Sequence, residues 1–150
     1  MKKTVLFLRI ASVLTFIHAV LHTIGGVFGK IEPGPAAIAV EAMKANRFLL
    51  MGNMRSFWDF YRGLGLGVTI CLTCESIILW QLASLAKTDA RRLRPIMAIF
   101  LCAYGALAVN SYAYFFRGPV IAEILIVACL GIAIVAAGAQ REAIEVEVRA

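Results

Sequence analysis

Four long runs of apolar residues constrain the fold of this chain more than any other feature. They extend over residues 4–28, 57–86, 95–116 and 119–139. At about 1.5 Å per residue, each run is long enough to cross the roughly 30 Å hydrocarbon core of a bilayer. Backbone polar groups in lipid must be satisfied within their own segment, so each run is expected to be a helix. The predicted fold class is therefore all-α, a four-helix transmembrane bundle.

Composition excludes the other broad classes of protein. The 150-residue chain is 61% hydrophobic and 16% charged, whereas soluble domains are typically about 25% charged. Disordered chains have low hydrophobicity, so that class is excluded too. The length fits a single transmembrane domain, 1–150. The first run follows Lys2 and Lys3, but it is longer than a signal-peptide core and no clear cleavage site follows, which favours an uncleaved helix.

The distribution of cationic residues predicts the orientation. The N-terminus, the connection 87–94 and the polar tail 140–150 carry two, four and two of the fifteen Lys and Arg residues. Four spans place these three segments on one side, and cationic loops stay on the cytoplasmic side, so both termini are expected to be cytoplasmic. The expected partners are membrane lipids, whose anionic headgroups these cations would meet. No basic stripe with interleaved aromatic residues indicates a nucleic-acid partner.

The connection between the first two runs is long enough to contain structure of its own. A turn at Glu32–Pro35 is followed by a predicted helix over 36–51, with Glu41, Lys44 and Arg47 grouped on one side. Such a helix is expected to lie in the outer headgroup region, as an interfacial helix between the first two spans. It would serve either as a spacer or as a lid over a site.

Polar side chains inside the spans are predicted to share one layer. Ionisable residues within a membrane are costly and usually face the bundle interior or a water-filled cavity. From helix rise alone, His18 and His22 lie about 15 and 9 Å from Phe28, toward the outer surface. The other spans bring further polar residues to the same depth in the outer leaflet half: Asp59, Arg62, Asn110, Ser111, Tyr112, Tyr114 and Glu123.

Helical spacing groups some of these residues on shared faces. His18 and His22 are four residues apart and lie on one face. Arg55, Asp59 and Arg62 follow i, i+4 and i+7, so that Asp59 could pair with either arginine. On the same helix, Trp58 and Tyr61 indicate an interfacial aromatic belt or the entrance of a ligand site.

Glu75 does not belong to this layer. It is about 24 Å along the helix from Asp59 and points about 160° away from it. Arg9 and Gln81 lie in the same half of the membrane and are its expected partners. A neutral, hydrogen-bonded Glu75 or a pair with Arg9 is favoured over a functional role.

Metal and redox chemistry have weaker signals. His18 and His22 have the spacing of two metal ligands on one helix, but the chain has no other histidine. We therefore name no metal ligand and leave the cofactor unassigned. Cys71 and Cys74 form a CxxC spacing, but every cysteine lies inside a predicted span, which argues against a redox role.

Two segments carry a resemblance to a known family. The segments from His18 to Gly29 (HAVLHTIGGVFG) and from Met51 to Gly65 (MGNMRSFWDFYRGLG) resemble a family of small bacterial four-span membrane proteins without assigned activity. The resemblance covers mainly residues 18–67 and implies a bacterial inner membrane. The architecture is also similar to that of membrane sterol isomerases, by analogy of fold alone.

Together these patterns favour a polar pocket in the outer leaflet half that binds a small lipophilic molecule, such as an isoprenoid, quinone, sterol-like compound or lipid. Acid/base chemistry of the isomerase type would use His18, His22 and Asp59 as catalytic residues. The expected ligand-binding residues are Arg55, Trp58, Tyr61, Arg62, Asn110, Tyr112, Tyr114 and Glu123. The alternative is a non-enzymatic accessory subunit whose polar layer fixes helix packing, and homo-oligomer formation stays open.

Overall fold

The helical content confirms the main prediction from the sequence. The computed structural model describes residues 2–149, with side-chain surroundings for residues 2–139, and it is 83% helical. Its four helices that are long and apolar enough to span a membrane are Lys2–Val27, Phe57–Asp89, Arg94–Tyr114 and Arg117–Ala139. The chain is therefore a multi-pass, helical membrane protein.

The elements follow one another in a simple order. They are α1 (Lys2–Leu21), a π-helical segment (His22–Val27), α2 (Pro35–Ala45), β1 (Arg47–Leu50), β2 (Asn53–Ser56), α3 (Phe57–Asp89), α4 (Arg94–Tyr114) and α5 (Arg117–Arg149). The predicted tail 140–150 begins within α5 and lies outside the residues whose side chains are described. Prolines open α2 and α4 within their first turn, where a missing N–H costs nothing.

The prediction of a helix over 36–51 is wrong in its second half. The helix ends at Ala45, because Asn46 adopts an extended conformation while its backbone N and its Nδ2 both donate to the Ala42 carbonyl. Residues 47–56 form an antiparallel hairpin in which Arg47 pairs with Ser56 and Leu50 with Asn53. Met51 (φ 49°) and Gly52 (φ 81°) make its two-residue turn, the type I′ geometry that suits the twist of the strands.

The chain divides into two compact units. The first comprises the chain up to His18 and from Thr73 onward, and the second is Ala19–Leu72. In the first unit, segments of α1, α3, α4 and α5 pack around fully buried side chains, the largest of which are Tyr104, Leu8, Leu79, Met97, Ile126 and Leu130. α4 and α5 are joined by Phe115 and Phe116 alone and pack as antiparallel neighbours, as the short connection predicts.

Paired serines mark a close approach of two helices in the first unit. Ser12 Oγ donates to the Ser76 carbonyl at 2.8 Å, and Ser76 Oγ donates to the Ser12 carbonyl at 3.0 Å. Small hydroxyl residues allow helices in a membrane to come close and to satisfy each other's polar groups. The contact joins α1 to α3.

Candidate functional site

The beginning of α3 is held by a capping box. Asp59 Oδ2 accepts hydrogen bonds from the backbone N of Ser56 (2.8 Å) and from its Oγ (3.0 Å), while Asp59 N donates to Ser56 Oγ (3.2 Å). This reciprocal arrangement satisfies amide groups that a helix N-terminus leaves free. One carboxylate oxygen of Asp59 is therefore committed to positioning the helix.

The predicted charged stripe of Arg55, Asp59 and Arg62 needs correction. Arg55 lies in β2 and not in the helix, so the i, i+4, i+7 spacing does not apply to it. The ion pairs found within residues 2–139 join Lys44 to Glu41 and Arg92 to Asp89, and neither involves Asp59. The Asp59 carboxylate takes its hydrogen bonds from Ser56 instead.

Aromatic rings and cations cluster around this helix start in the second unit. Phe48 of β1 lies 5.1 Å from Phe57 and 6.0 Å from Phe60, measured between ring centroids. The Trp58 and Tyr61 rings stack at 5.3 Å, and Lys44 Nζ lies 5.6 Å from the Trp58 ring. The Arg62 guanidinium lies 4.9 Å from the ring of Phe28. This is an amphipathic surface that combines apolar area with positive charge.

A groove of about 250 Å³ opens beside the start of α3. Its lining residues are Arg55, Asp59, Phe60, Gly63 and Leu64. The space beside Gly63 is open, because a Cβ at this position would meet no atom within 4 Å. The polar end therefore offers a guanidinium donor and a carboxylate acceptor, and the remainder is apolar.

His22 lies in the same unit and is anchored to α3. Its Nε2 is 3.0 Å from the Gly65 carbonyl, and because a carbonyl only accepts, Nε2 is the donor. Thr23 Oγ1 lies 2.9 Å from Thr69 Oγ1, one turn further along. Both residues lie in the π-helical segment, a distortion that is frequent at functional sites and that apolar periodicity alone does not reveal.

The remaining predicted site residues belong to the first unit. Glu123 is 3% exposed and accepts a 2.9 Å hydrogen bond from Ser111 Oγ through its Oε1. Within residues 2–139, its Oε2 is buried and has no hydrogen-bond partner. Asn110, Tyr112 and Tyr114 lie on exposed positions of α4. His18 is half-buried on α1. The functional roles assigned to these residues stay predictions.

The structure gives Glu75 a partner that sequence reasoning missed. The Tyr104 hydroxyl donates to Glu75 Oε2 at 2.6 Å and lies 3.3 Å from Thr15 Oγ1. Tyr104 and Thr15 are fully buried, and Glu75 is half-buried. The predicted partner Arg9 instead places its guanidinium 3.6 Å from the centre of the Trp80 ring. Gln81, the other predicted partner, is exposed.

Chemistry based on metal or thiol groups gains no support from the described part of the chain. Residues 2–139 contain no cluster of three or more His, Cys, Asp or Glu side chains. All four cysteines are free; Cys71, Cys74 and Cys102 are exposed and Cys129 is buried.

Comparisons with known protein families, with curated proteins and with solved structures find no match for this chain.

Proposed function

We propose that this protein binds a small lipophilic molecule at the start of α3, with the polar head of that molecule in the groove between Arg55 and Leu64. The observation that carries the proposal is the groove itself, which is lined by the charged residues Arg55 and Asp59 and by the apolar residues Phe60, Gly63 and Leu64. Complete ligand pockets usually enclose about 300–1,000 Å³. A groove of about 250 Å³ fits a head and its first carbons, so the rest of the molecule would extend into lipid.

The two charged residues favour a particular class of head. Arg55 can donate a hydrogen bond and Asp59 can accept one through the oxygen that does not cap the helix. Their opposite charges balance, which disfavours a strongly anionic head. A hydroxyl or carbonyl suits this pair, as found in an isoprenoid alcohol, a quinone or quinol, or a sterol. Trp58, Tyr61 and Arg62 do not line the groove. At about 100° per residue they lie on the opposite side of α3, so this head would not contact them.

Acid/base catalysis by His22 is a separate proposal, because His22 does not line the groove. With Nε2 donating to Gly65, a neutral His22 ring would leave Nδ1 available to accept a proton. Isomerisation would be detected as deuterium uptake into the bound molecule in heavy water. Retention of that uptake in His22→Gln would exclude His22 as the base.

We also propose membership of the small bacterial four-span family, an inner-membrane location and cytoplasmic termini. Helix α2 would then lie in the outer headgroup region, a position that suits its lack of buried residues.

Periplasmic reporter fusions after Lys30 and after Thr88 distinguish the two orientations. We expect only the fusion after Lys30 to be active, and the reverse result would contradict the proposed orientation.

Filling the groove is the direct test of ligand binding. Gly63→Phe is expected to lower the amount of lipophilic molecule that co-purifies with the detergent-solubilised protein by about tenfold, which corresponds to about 1.4 kcal/mol. The measurement is solvent extraction followed by mass spectrometry, expressed per mole of protein. Gly67→Phe is the matched control, because a Cβ at Gly67 also meets no atom within 4 Å but Gly67 does not line the groove. Equal retention by both variants would contradict the proposal.

An accessory subunit without catalytic activity is the second candidate. The observation that favours it is the use of polar groups in packing: Asp59 caps α3, Ser111 binds Glu123 and Tyr104 binds Glu75. In that case the wild-type protein would carry no stoichiometric lipophilic molecule. Asp59→Ala would lower the thermal stability and would have no effect on the amount of co-purifying molecule.

A further inference from the structure

A second groove, independent of the proposed site, lies in the first unit between the start of α1 and α5. It is an open groove of about 890 Å³, and its lining residues are Lys2, Lys3, Ala128, Gly131, Ile132, Val135, Ala136 and Ala139. Apart from the two lysines at one end, the lining is apolar. We call it the α1–α5 groove.

A third cation lies beside the groove lining on α5. A Cβ placed at Gly138 would lie 3.4 Å from Cζ and Nη1 of Arg94, so the guanidinium lies directly over this glycine. Gly138 precedes Ala139, which lines the groove. Arg94, at the beginning of α4, therefore lies next to the groove lining without being part of it.

The dimensions of the groove match one leaflet. The lining residues of α5 run from Ala128 to Ala139, which is about 16 Å at about 1.5 Å per residue. Half of the roughly 30 Å hydrocarbon core is about 15 Å. The α1–α5 groove therefore combines an apolar length that suits one acyl chain with cations at the helix termini that suit a phosphate. These are the two parts of a phospholipid.

We propose that the α1–α5 groove binds one anionic phospholipid, with an acyl chain along Ala128–Ala139 and the phosphate between Lys2, Lys3 and Arg94. Charge complementarity selects this occupant. A second copy of the chain would bring a further Lys2 and Lys3 to the same place, and like charges repel there. A zwitterionic lipid would carry its own cation into a cluster that already holds three.

The test uses the full chain and defined lipids. Native mass spectrometry of the detergent-solubilised protein is run with phosphatidylglycerol or with phosphatidylcholine of the same acyl chains. We expect one phosphatidylglycerol to remain bound under conditions that remove phosphatidylcholine. Lys2→Gln/Lys3→Gln is expected to weaken that binding by about tenfold, since each basic residue contributes to attraction of anionic lipid. Arg94→Gln is expected to weaken it in the same direction.

Matched variants separate a bound lipid from general attraction to anionic surfaces. Lys87→Gln/Arg91→Gln removes two exposed cations that do not line the groove, and it should leave binding unchanged. Ala128→Phe fills the apolar part and should reduce binding, whereas Ile124→Phe, one turn earlier on an exposed position, should not. Each of four results would overturn the proposal. The two lipids could bind equally, or Lys2→Gln/Lys3→Gln and Lys87→Gln/Arg91→Gln could weaken lipid binding equally. Inorganic phosphate could displace the lipid, or a dimer could form in place of the lipid complex.

Discussion

Replacing Tyr104 with phenylalanine is expected to lower the free energy of unfolding by about 1–3 kcal/mol. The ring would keep its packing, since Tyr104 is fully buried, but the 2.6 Å hydrogen bond to Glu75 would be lost. Glu75 would then be a half-buried carboxyl in the middle of a span without its tyrosine donor. An unsatisfied polar group in this environment carries most of its desolvation cost. Denaturant titration in detergent micelles measures the change.

A double-mutant cycle assigns this loss to the hydrogen bond. Glu75→Leu combined with Tyr104→Phe replaces both partners by apolar groups, which is expected to restore most of the stability. Tyr112→Phe is the control, because Tyr112 is on the same helix and 82% exposed. If Tyr104→Phe matches the control, the Glu75 contact does not stabilise the bundle.

Adding a methyl group at Gly65 is expected to lower the free energy of unfolding by about 1–3 kcal/mol, as overpacking does in other cores. A Cβ there would lie 3.0 Å from Cγ2 of Val27, a side chain that is 5% exposed. Relieving this contact displaces either the buried Val27 side chain or the α3 backbone that holds the Gly65 carbonyl near His22 Nε2. The effect opposes the gain of about 0.5–1 kcal/mol that alanine usually has over glycine in a helix.

Val27→Ala removes the methyl group that Gly65→Ala would meet. In a Val27→Ala background, Gly65→Ala is therefore expected to have little or no cost, and the coupling energy is read from the four unfolding curves. Gly67→Ala is the control on the same helix, because its Cβ would enter open space. A Gly65→Ala protein as stable as the Gly67→Ala protein would contradict this close approach.

The spans could be predicted from sequence because their signal is local. Apolar runs of sufficient length leave a helix as the only structure that satisfies the backbone in lipid, and the four helices agree with those runs to within a few residues at each end. The hairpin was not predictable in this way. Its Met51–Gly52 turn lacks the usual Asn-Gly pair, and Arg47–Leu50 continues the helical pattern of the residues before it.

The hydrogen-bond and ring partners of polar groups could not be predicted from helix rise. Helix rise predicts that Arg9 and Glu75 lie in the same half of the membrane, but it does not give the rotation of α1 against α3. The Arg9 guanidinium instead makes a cation–π contact with the Trp80 ring, an interaction in which arginine is common. Tyr104 has one hydroxyl on an otherwise apolar ring, so nothing in the pattern of α4 marks it as the donor.

At the candidate site, too, the sequence indicated which residues are present but not which atoms they contact. Trp58, Asp59, Tyr61 and Arg62 lie in the first turns of α3, as the sequence indicated, whereas Arg55 lies in β2 and not in the predicted helical stripe. The sequence could not show that Ser56 occupies the Asp59 carboxylate. Nor could it show the groove lined by Phe60, Gly63 and Leu64, since these residues also fit an ordinary membrane helix.

Photolabelling with a lipophilic alcohol that carries a diazirine next to its hydroxyl tests the central claim most directly. The probe is reconstituted with the full chain, activated by light and mapped by peptide mass spectrometry. We expect adducts concentrated on Phe60 and Leu64, competed by the unlabelled alcohol and lost in Gly63→Phe but not in Gly67→Phe. Adducts spread evenly over the exposed apolar residues of α3, without competition, would contradict a specific site at the start of this helix.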